Sequence, residues 1–215
     1  MKLLTKKGET EKRDAIVKKR FNNLVRRMYS FAGVKVEVAG RENIPEGTVL
    51  FCANHQGLFD AGIMLAYMRE PCGFVIKKEV EKIPLAASWL RYLGSVFIDR
   101  DSPRAAVEAI NKAAENLKNG KSMVIFPEGT RSRTGEIGEF KNGAFKMAQK
   151  TGVPIVPVAI SGTSDIWERE HKIRPGTVKV SVLSPVYTNA MTREEFKTLG
   201  YVVREMIVKE KMNLS

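Results

Sequence analysis

Short apolar runs of buried-strand length recur along this chain, at residues 48–53, 73–76, 96–98, 123–126 and 155–160, with helical patterns between them. Strand alternating with helix is the signature of an α/β domain, because parallel neighbours need a crossover long enough to hold a helix. Val34, Val36 and Val38, and later Val178, Val180 and Val182, alternate with other residues as half-buried strands do. The clearest helix spans residues 103–119, with Ser102 as N-cap, Pro103 at the first position and Gly120 just past the end. Ala106, Ile110, Ala113 and Leu117 form its apolar face. Near the C-terminus Thr192 and Glu195 suit a capping box ahead of the stripe Phe196, Leu199, Val203, Met206 and Ile207. The predicted fold is α/β, a largely parallel β-sheet flanked by helices, preceded by an N-terminal basic amphipathic helix.

That helix runs from about residue 12 to 32, where Val17, Phe21, Leu24, Val25, Met28 and Phe31 recur at helical spacing among Lys18, Lys19, Arg20, Arg26 and Arg27. Two readings stand side by side. The helix rests in a lipid headgroup layer with its apolar face down, or it packs on the domain with its charges solvated. The chain thus divides into a membrane-associating helical segment, 1–33, and an α/β domain, 34–215, whose chemistry is argued below. The first 30 residues hold 10 Lys/Arg against 3 Asp/Glu, so +7 of the formal +12 is concentrated there. A localised basic segment implies an anionic partner, nucleic acid or an anionic lipid surface. The basic segment has no recognisable nucleic-acid module and no interleaved aromatics, which argues against nucleic acid. No apolar run approaches the ~20 residues that cross a bilayer, and the first residues lack the apolar core of a secretory signal. Cys52 and Cys72 lie in apolar surroundings and build no disulfide framework, which suits a reducing compartment. The expected location is therefore peripheral, on the cytoplasmic face of the cell membrane.

Reactive residue types follow four predicted strands: Asn54-His55 after Ala53, Lys77-Lys78 after Ile76, Asp99-Arg100 after Ile98, and Pro127-Glu128-Gly129 after Phe126. In open α/β sheets the carboxyl edge is where ligands bind. His55 and Asp60 are five residues apart, which on a continuous helix turns them roughly 140° from each other. Across a strand-to-helix turn through Gly57 they can meet, Asp60 fixing the imidazole tautomer and leaving the other nitrogen to take a proton. A histidine merely holding a turn is the plainer alternative. Arg131 can fork onto a phosphate with help from the Gly129-Thr130 amides, and Arg100 offers the same chemistry. A surface ion pair is the plainer reading of either arginine. No G-x-x-x-x-G-K-[ST] phosphate loop occurs. No metal-ligand cluster is seen either, His55 and His171 lying far apart and no cysteine pair having ligand spacing.

Four blocks carry a family resemblance. Asn54-His55-Gln56-Gly57-Leu58-Phe59-Asp60, Gly94-Ser95-Val96-Phe97-Ile98-Asp99-Arg100, Phe126-Pro127-Glu128-Gly129-Thr130-Arg131-Ser132 and Val153-Pro154-Ile155-Val156-Pro157-Val158 resemble, in order, the four blocks of the glycerophospholipid acyltransferases. That family includes the bacterial 1-acylglycerol-3-phosphate acyltransferases. Lys77-Lys78-Glu79, Phe140-Lys141-Asn142-Gly143-Ala144 and Gly40-Arg41-Glu42-Asn43-Ile44-Pro45 are similar to further family segments, and the likeness spans residues 36–184. Gly57 departs from it, standing where the family pattern leads us to expect serine. Many relatives begin with a hydrophobic membrane segment, whereas this chain has only the basic amphipathic helix.

The resemblance implies acyl transfer without an acyl-enzyme. His55 would deprotonate an acceptor hydroxyl that attacks an acyl thioester, and Asp60 would orient His55. Arg100, Glu128, Gly129, Thr130 and Arg131 would hold the acceptor phosphate. Lys77 would stabilise the oxyanion or pair with Glu79. The expected acceptor is lysophosphatidic acid, with glycerol 3-phosphate as alternative; the donor is acyl-CoA or acyl carrier protein, and no cofactor is expected. A second class, a basic lipid- or nucleic-acid-binding protein without catalysis, leaves the His55 and Asp60 pair unexplained. A third makes Cys52 the nucleophile, although its odd offset within a strand points it away from His55. Residues 83–90 read as a core helix or as a membrane-facing surface.

Overall fold

The apolar runs pair laterally into one seven-stranded sheet in the computed structural model, which describes residues 10–68, 72–99, 101–132 and 134–214. In chain order the elements are α1 (Thr10–Phe31), β1 (Val34–Ala39), β2 (Leu50–Ala53), α2 (Phe59–Tyr67), β3 (Gly73–Lys77), α3 (Pro84–Tyr92), β4 (Val96–Ile98), α4 (Pro103–Lys118), β5 (Met123–Ile125), α5 (Lys146–Thr151), β6 (Ile155–Ser161), α6 (Thr163–Ile166), β7 (Gly176–Val182) and α7 (Arg193–Leu214). The sheet order is β1-β7-β6-β2-β5-β3-β4. Every pairing is parallel except β6 against β7. The carboxyl ends of β2, β3, β4, β5 and β6 therefore share one edge.

Helices cover both faces, as a parallel sheet requires. Central β2 shows why its run has no polar gap: all four residues are buried, Phe51 and Ala53 toward α1 and α2, Leu50 and Cys52 toward α4, α5 and α7. The helix ends follow their sequence signals. Ser102 Oγ accepts the Ala105 N–H at 3.3 Å. Thr192 and Glu195 form the reciprocal capping box, Thr192 Oγ1 accepting the Glu195 N–H and Glu195 Oε2 accepting the Thr192 N–H. Among the described residues, no helix is long and apolar enough to cross a membrane.

The expectation of one apolar stripe on α1 needs correction. Val25 and Tyr29 are buried against the domain, while Leu24, Met28 and Phe31 point outward, Phe31 93% exposed. The Tyr29 hydroxyl donates to the Phe59 carbonyl, and burial pushes that phenol's pKa up. Arg26 donates twice to the Ala66 carbonyl, at 3.0 and 2.8 Å, and lies over the Tyr67 ring. Apolar residues thus occupy two sides of α1, because the helix lies along α2 with one flank only. The side chains of Val17, Lys18 and Phe21 lie outside the described residues, as does Arg100. On α3, Ala87 and Leu90 face the core while Ile83 before it and Leu85 face out, so a core helix and an outward apolar surface coexist.

Candidate active site

The strand-to-helix turn through Gly57 brings His55 and Asp60 together, His55 Nδ1 lying 2.7 Å from Asp60 Oδ2. A continuous helix would have parted them; the non-helical residues 54–57 remove that obstacle. Asp60 is fully buried, yet amply satisfied. Its Oδ2 also accepts the N–H groups of Gln56 (2.6 Å) and Gly57 (2.7 Å), and its Oδ1 accepts the Thr163 hydroxyl. A buried carboxylate held by this many donors is locked in place. The imidazole stacks on Phe126, ring centroids 4.2 Å apart. Its side chain is 18% exposed, and its second nitrogen carries no hydrogen bond among the described residues.

Glu128 enters the same structure from behind. Its Oε1 accepts the His55 N–H at 2.7 Å and its Oε2 accepts the Gly138 N–H at 2.9 Å. Ser132 N–H returns a bond to the His55 carbonyl at 2.8 Å. The third block is thereby stapled to the first through the backbone of His55. Burial raises the Glu128 pKa, the two N–H donors offsetting part of that effect. Both Glu128 oxygens are occupied by backbone donors, and a carboxylate repels phosphate, so the geometry favours a scaffold role over the phosphate-holding role drawn from the resemblance.

Gly129 turns the chain with φ +73°, a left-handed conformation that favours glycine. Lys141 approaches it closely, its Nζ 3.2 Å from where a Cβ would stand. Thr130 and Arg131 follow at the surface, and Arg131 Nη1 pairs with Glu168 Oε1 at 3.2 Å. Lys77 pairs with Glu79 at 2.9 Å, both about half exposed, the second of its two expected arrangements. Cys52 is fully buried toward α4 and α7, and burial drives its thiol pKa well up, which leaves the nucleophile reading without support.

Asn54 was marked only by its place after β2, and two further contributors, Thr163 and Glu168, carried no local sequence signal. Asn54 bridges β2 to β6, its amide nitrogen donating to the Ile160 carbonyl (3.0 Å) and its oxygen accepting the Ile160 N–H (2.8 Å). Thr163 and Glu168 follow β6 and reach the His55 loop from more than a hundred residues away. Their position just past a fifth carboxyl end was the one available clue. Phe126 also lines a cleft of about 530 Å³, walled chiefly by Val75, Ile98, Val107, Ile110 and Ile125, with Lys141, Lys146 and Lys150 at its sides.

Known proteins resemble this chain in sequence and in fold. A sequence model of the family described as Acyltransferase matches residues 35–161. The chain is 33% identical over 180 residues to the 1-acyl-sn-glycerol-3-phosphate acyltransferase of Saccharomyces cerevisiae, a match covering 82% of this chain and 59% of that protein. It is 34% identical over 181 residues to the protein of the same name from Borreliella burgdorferi, covering 83% and 72%. The crystal structure of the 1-acyl-sn-glycerophosphate (LPA) acyltransferase PlsC from Thermotoga maritima superposes with a TM-score of 0.85 at 35% identity, covering 95% of this chain and 82% of that one. Against several eukaryotic relatives the chain spans only 50–59% of their length.

Proposed function

This chain belongs to the acyltransferase family, and from that premise we propose that it moves a fatty acyl group from a thioester to the free hydroxyl of 1-acylglycerol 3-phosphate, yielding phosphatidic acid. The observation that carries the reading is His55 held by a buried Asp60, its other ring nitrogen open, on the sheet edge that also bears Arg131. His55 takes the proton from the acceptor hydroxyl as that oxygen attacks the thioester carbonyl, and Asp60 stabilises the imidazolium that forms. As the tetrahedral intermediate collapses, the C–S bond breaks and the proton passes from His55 to the departing thiolate. A histidine base and an activated thioester need no further cofactor. Asp60 and Glu128 position the base, while Arg131, with the Gly129-Thr130 backbone and Arg100, takes the acceptor phosphate. Lys77 remains the cationic side chain nearest in sequence to this edge for the oxyanion, once freed from Glu79.

The apolar cleft beside Phe126 suits an acyl chain. Lysines on its wall and the net charge of +12 suit an anionic donor, acyl-CoA or acyl carrier protein. The exposed Leu24, Met28 and Phe31, beside exposed Lys19, Arg20 and Arg27, favour peripheral docking on an anionic, cytoplasmic membrane face. The test is phosphatidic acid formation on anionic vesicles by wild type and His55→Ala, with acyl-CoA and acyl carrier protein donors offered in parallel. Glycerol 3-phosphate is supplied as competing acceptor. Wild type should acylate lysophosphatidic acid, and His55→Ala should lose about 10²–10⁴-fold in rate. Equal product from both proteins removes His55 as the base. No product with any substrate pair leaves a lipid binder.

A further inference from the structure

We propose that Glu168 is a positioning residue of this centre, fitted against Gly57 and holding Arg131 until an anionic ligand displaces it. The Arg131 half of this inference rests on the phosphate-binding reading above. Glu168 lies just past α6, its own N–H anchored to the Ser164 carbonyl at 3.1 Å. Its Oε1 accepts two donors from two different blocks: the Leu58 N–H at 2.6 Å and Arg131 Nη1 at 3.2 Å. Leu58 is 64% exposed at the tip of the His55 loop, so this bond ties down the part of the loop that water would otherwise solvate.

The second oxygen explains Gly57. Glu168 Oε2 is buried and has no hydrogen-bond partner among the described residues. It lies 2.5 Å from where a Cβ on residue 57 would stand. Gly57 is absent from the glycines with positive φ, so its backbone does not demand glycine. What a Cβ at 57 would meet is the end of the Glu168 side chain, so it would push that carboxylate away from Leu58 and Arg131. Glycine at 57 and the acid at 168 are therefore one fitted pair. An unbonded buried carboxylate oxygen is rare and costly, and the close packing against Gly57 is what keeps it there.

Arg131 is the movable member. Its side chain is 52% exposed against 20% for Glu168. A phosphate offers the guanidinium two oxygens where Glu168 offers one. Glu168 thus competes with the ligand for Arg131 while its bond to Leu58 persists.

The experiment is a double-mutant cycle with Gly57→Ser and Glu168→Ala, alongside Glu168→Gln. Melting temperatures, taken without substrate, test the fit whatever the protein acylates. Gly57→Ser should lower the midpoint by roughly 2–4 °C in wild type and by much less in the Glu168→Ala background. Additive losses overturn the fitted pair. Glu168→Gln keeps an oxygen for Leu58 but removes the charge facing Arg131. It should lower acceptor KM about threefold and should lower kcat less than Glu168→Ala does. Inorganic phosphate should also raise its melting temperature more than that of wild type. A Glu168→Gln protein with wild-type KM and wild-type response to phosphate overturns the holding of Arg131, and the phosphate arm reads this even where no acyl transfer is found.

Discussion

Four consecutive backbone N–H groups, His55 to Leu58, each end on a carboxylate at 2.6–2.7 Å, the acids being Glu128, Asp60 and Glu168. The Thr130-Arg131 turn beside this loop is exposed, and among the described residues its guanidinium has a single ion pair, of 3.2 Å. The loop is built in advance and the turn is left adaptable. That division suits the proposed reaction, in which the base must be aligned before the substrate arrives, whereas the phosphate would bring its own charge to organise its ligands.

Asp60→Ala strikes the built half and should have the largest effect. It leaves the Gln56 and Gly57 N–H groups and the Thr163 hydroxyl without their acceptor, at about 1–3 kcal/mol for each buried orphan. Chemical denaturation should register that loss, together with a fall in kcat of about 10²-fold or more. A protein of wild-type stability would show that the loop does not depend on its carboxylates. Arg131→Ala strikes the adaptable half. Acceptor KM should rise about 10–100-fold, matching a lost charge-assisted bond of about 1.5–3 kcal/mol, while the melting temperature stays within a degree or so. A large stability loss there would erase the contrast.

Glu128 sharpens the comparison through pH. Burial holds its folded-state pKa above the unfolded value. The folded chain therefore keeps that proton to higher pH, and stability falls as pH rises from the ordinary carboxylate range through the raised one. Glu128→Gln should flatten this part of the stability profile, seen as a smaller change of melting temperature with pH. An unchanged slope assigns the titration to another group. The smallest effect belongs to neither region. Phe31→Ser with Met28→Ser should weaken binding to anionic vesicles several-fold and leave turnover of a short-chain soluble acceptor unchanged, since both side chains point away from the core.

Much of this division was legible beforehand. Five apolar runs and two alternating patterns named the seven strands because each strand packs apolar side chains against a helix layer, and β2, buried on both faces, showed no polar gap. Ser102, Gly120, Thr192 and Glu195 marked helix ends through bonds made within a few residues. His55, Asp60 and the Glu128 turn announced themselves by residue type at strand ends. Thr163 and Glu168 did not, because an isolated hydroxyl or carboxylate 103 or 110 residues from its partner has no periodic signature. The α1 stripe misled for a related reason. Helical spacing reports that apolar residues share the helix, not how far the neighbouring surface extends, and α2 reaches only the Val25 and Tyr29 flank.

The span of those long-range bonds has a consequence for how the molecule matures. His55 emerges early in synthesis, yet its loop is complete only when residues 128, 163 and 168 have docked. Contacts so distant in sequence form late, after the entropy of closing the intervening loops has been overcome. A nascent or partly unfolded chain therefore carries the histidine without the apparatus that aims it. Under the proposed function, turnover then serves as a readout of finished folding, and a half-made chain is chemically silent.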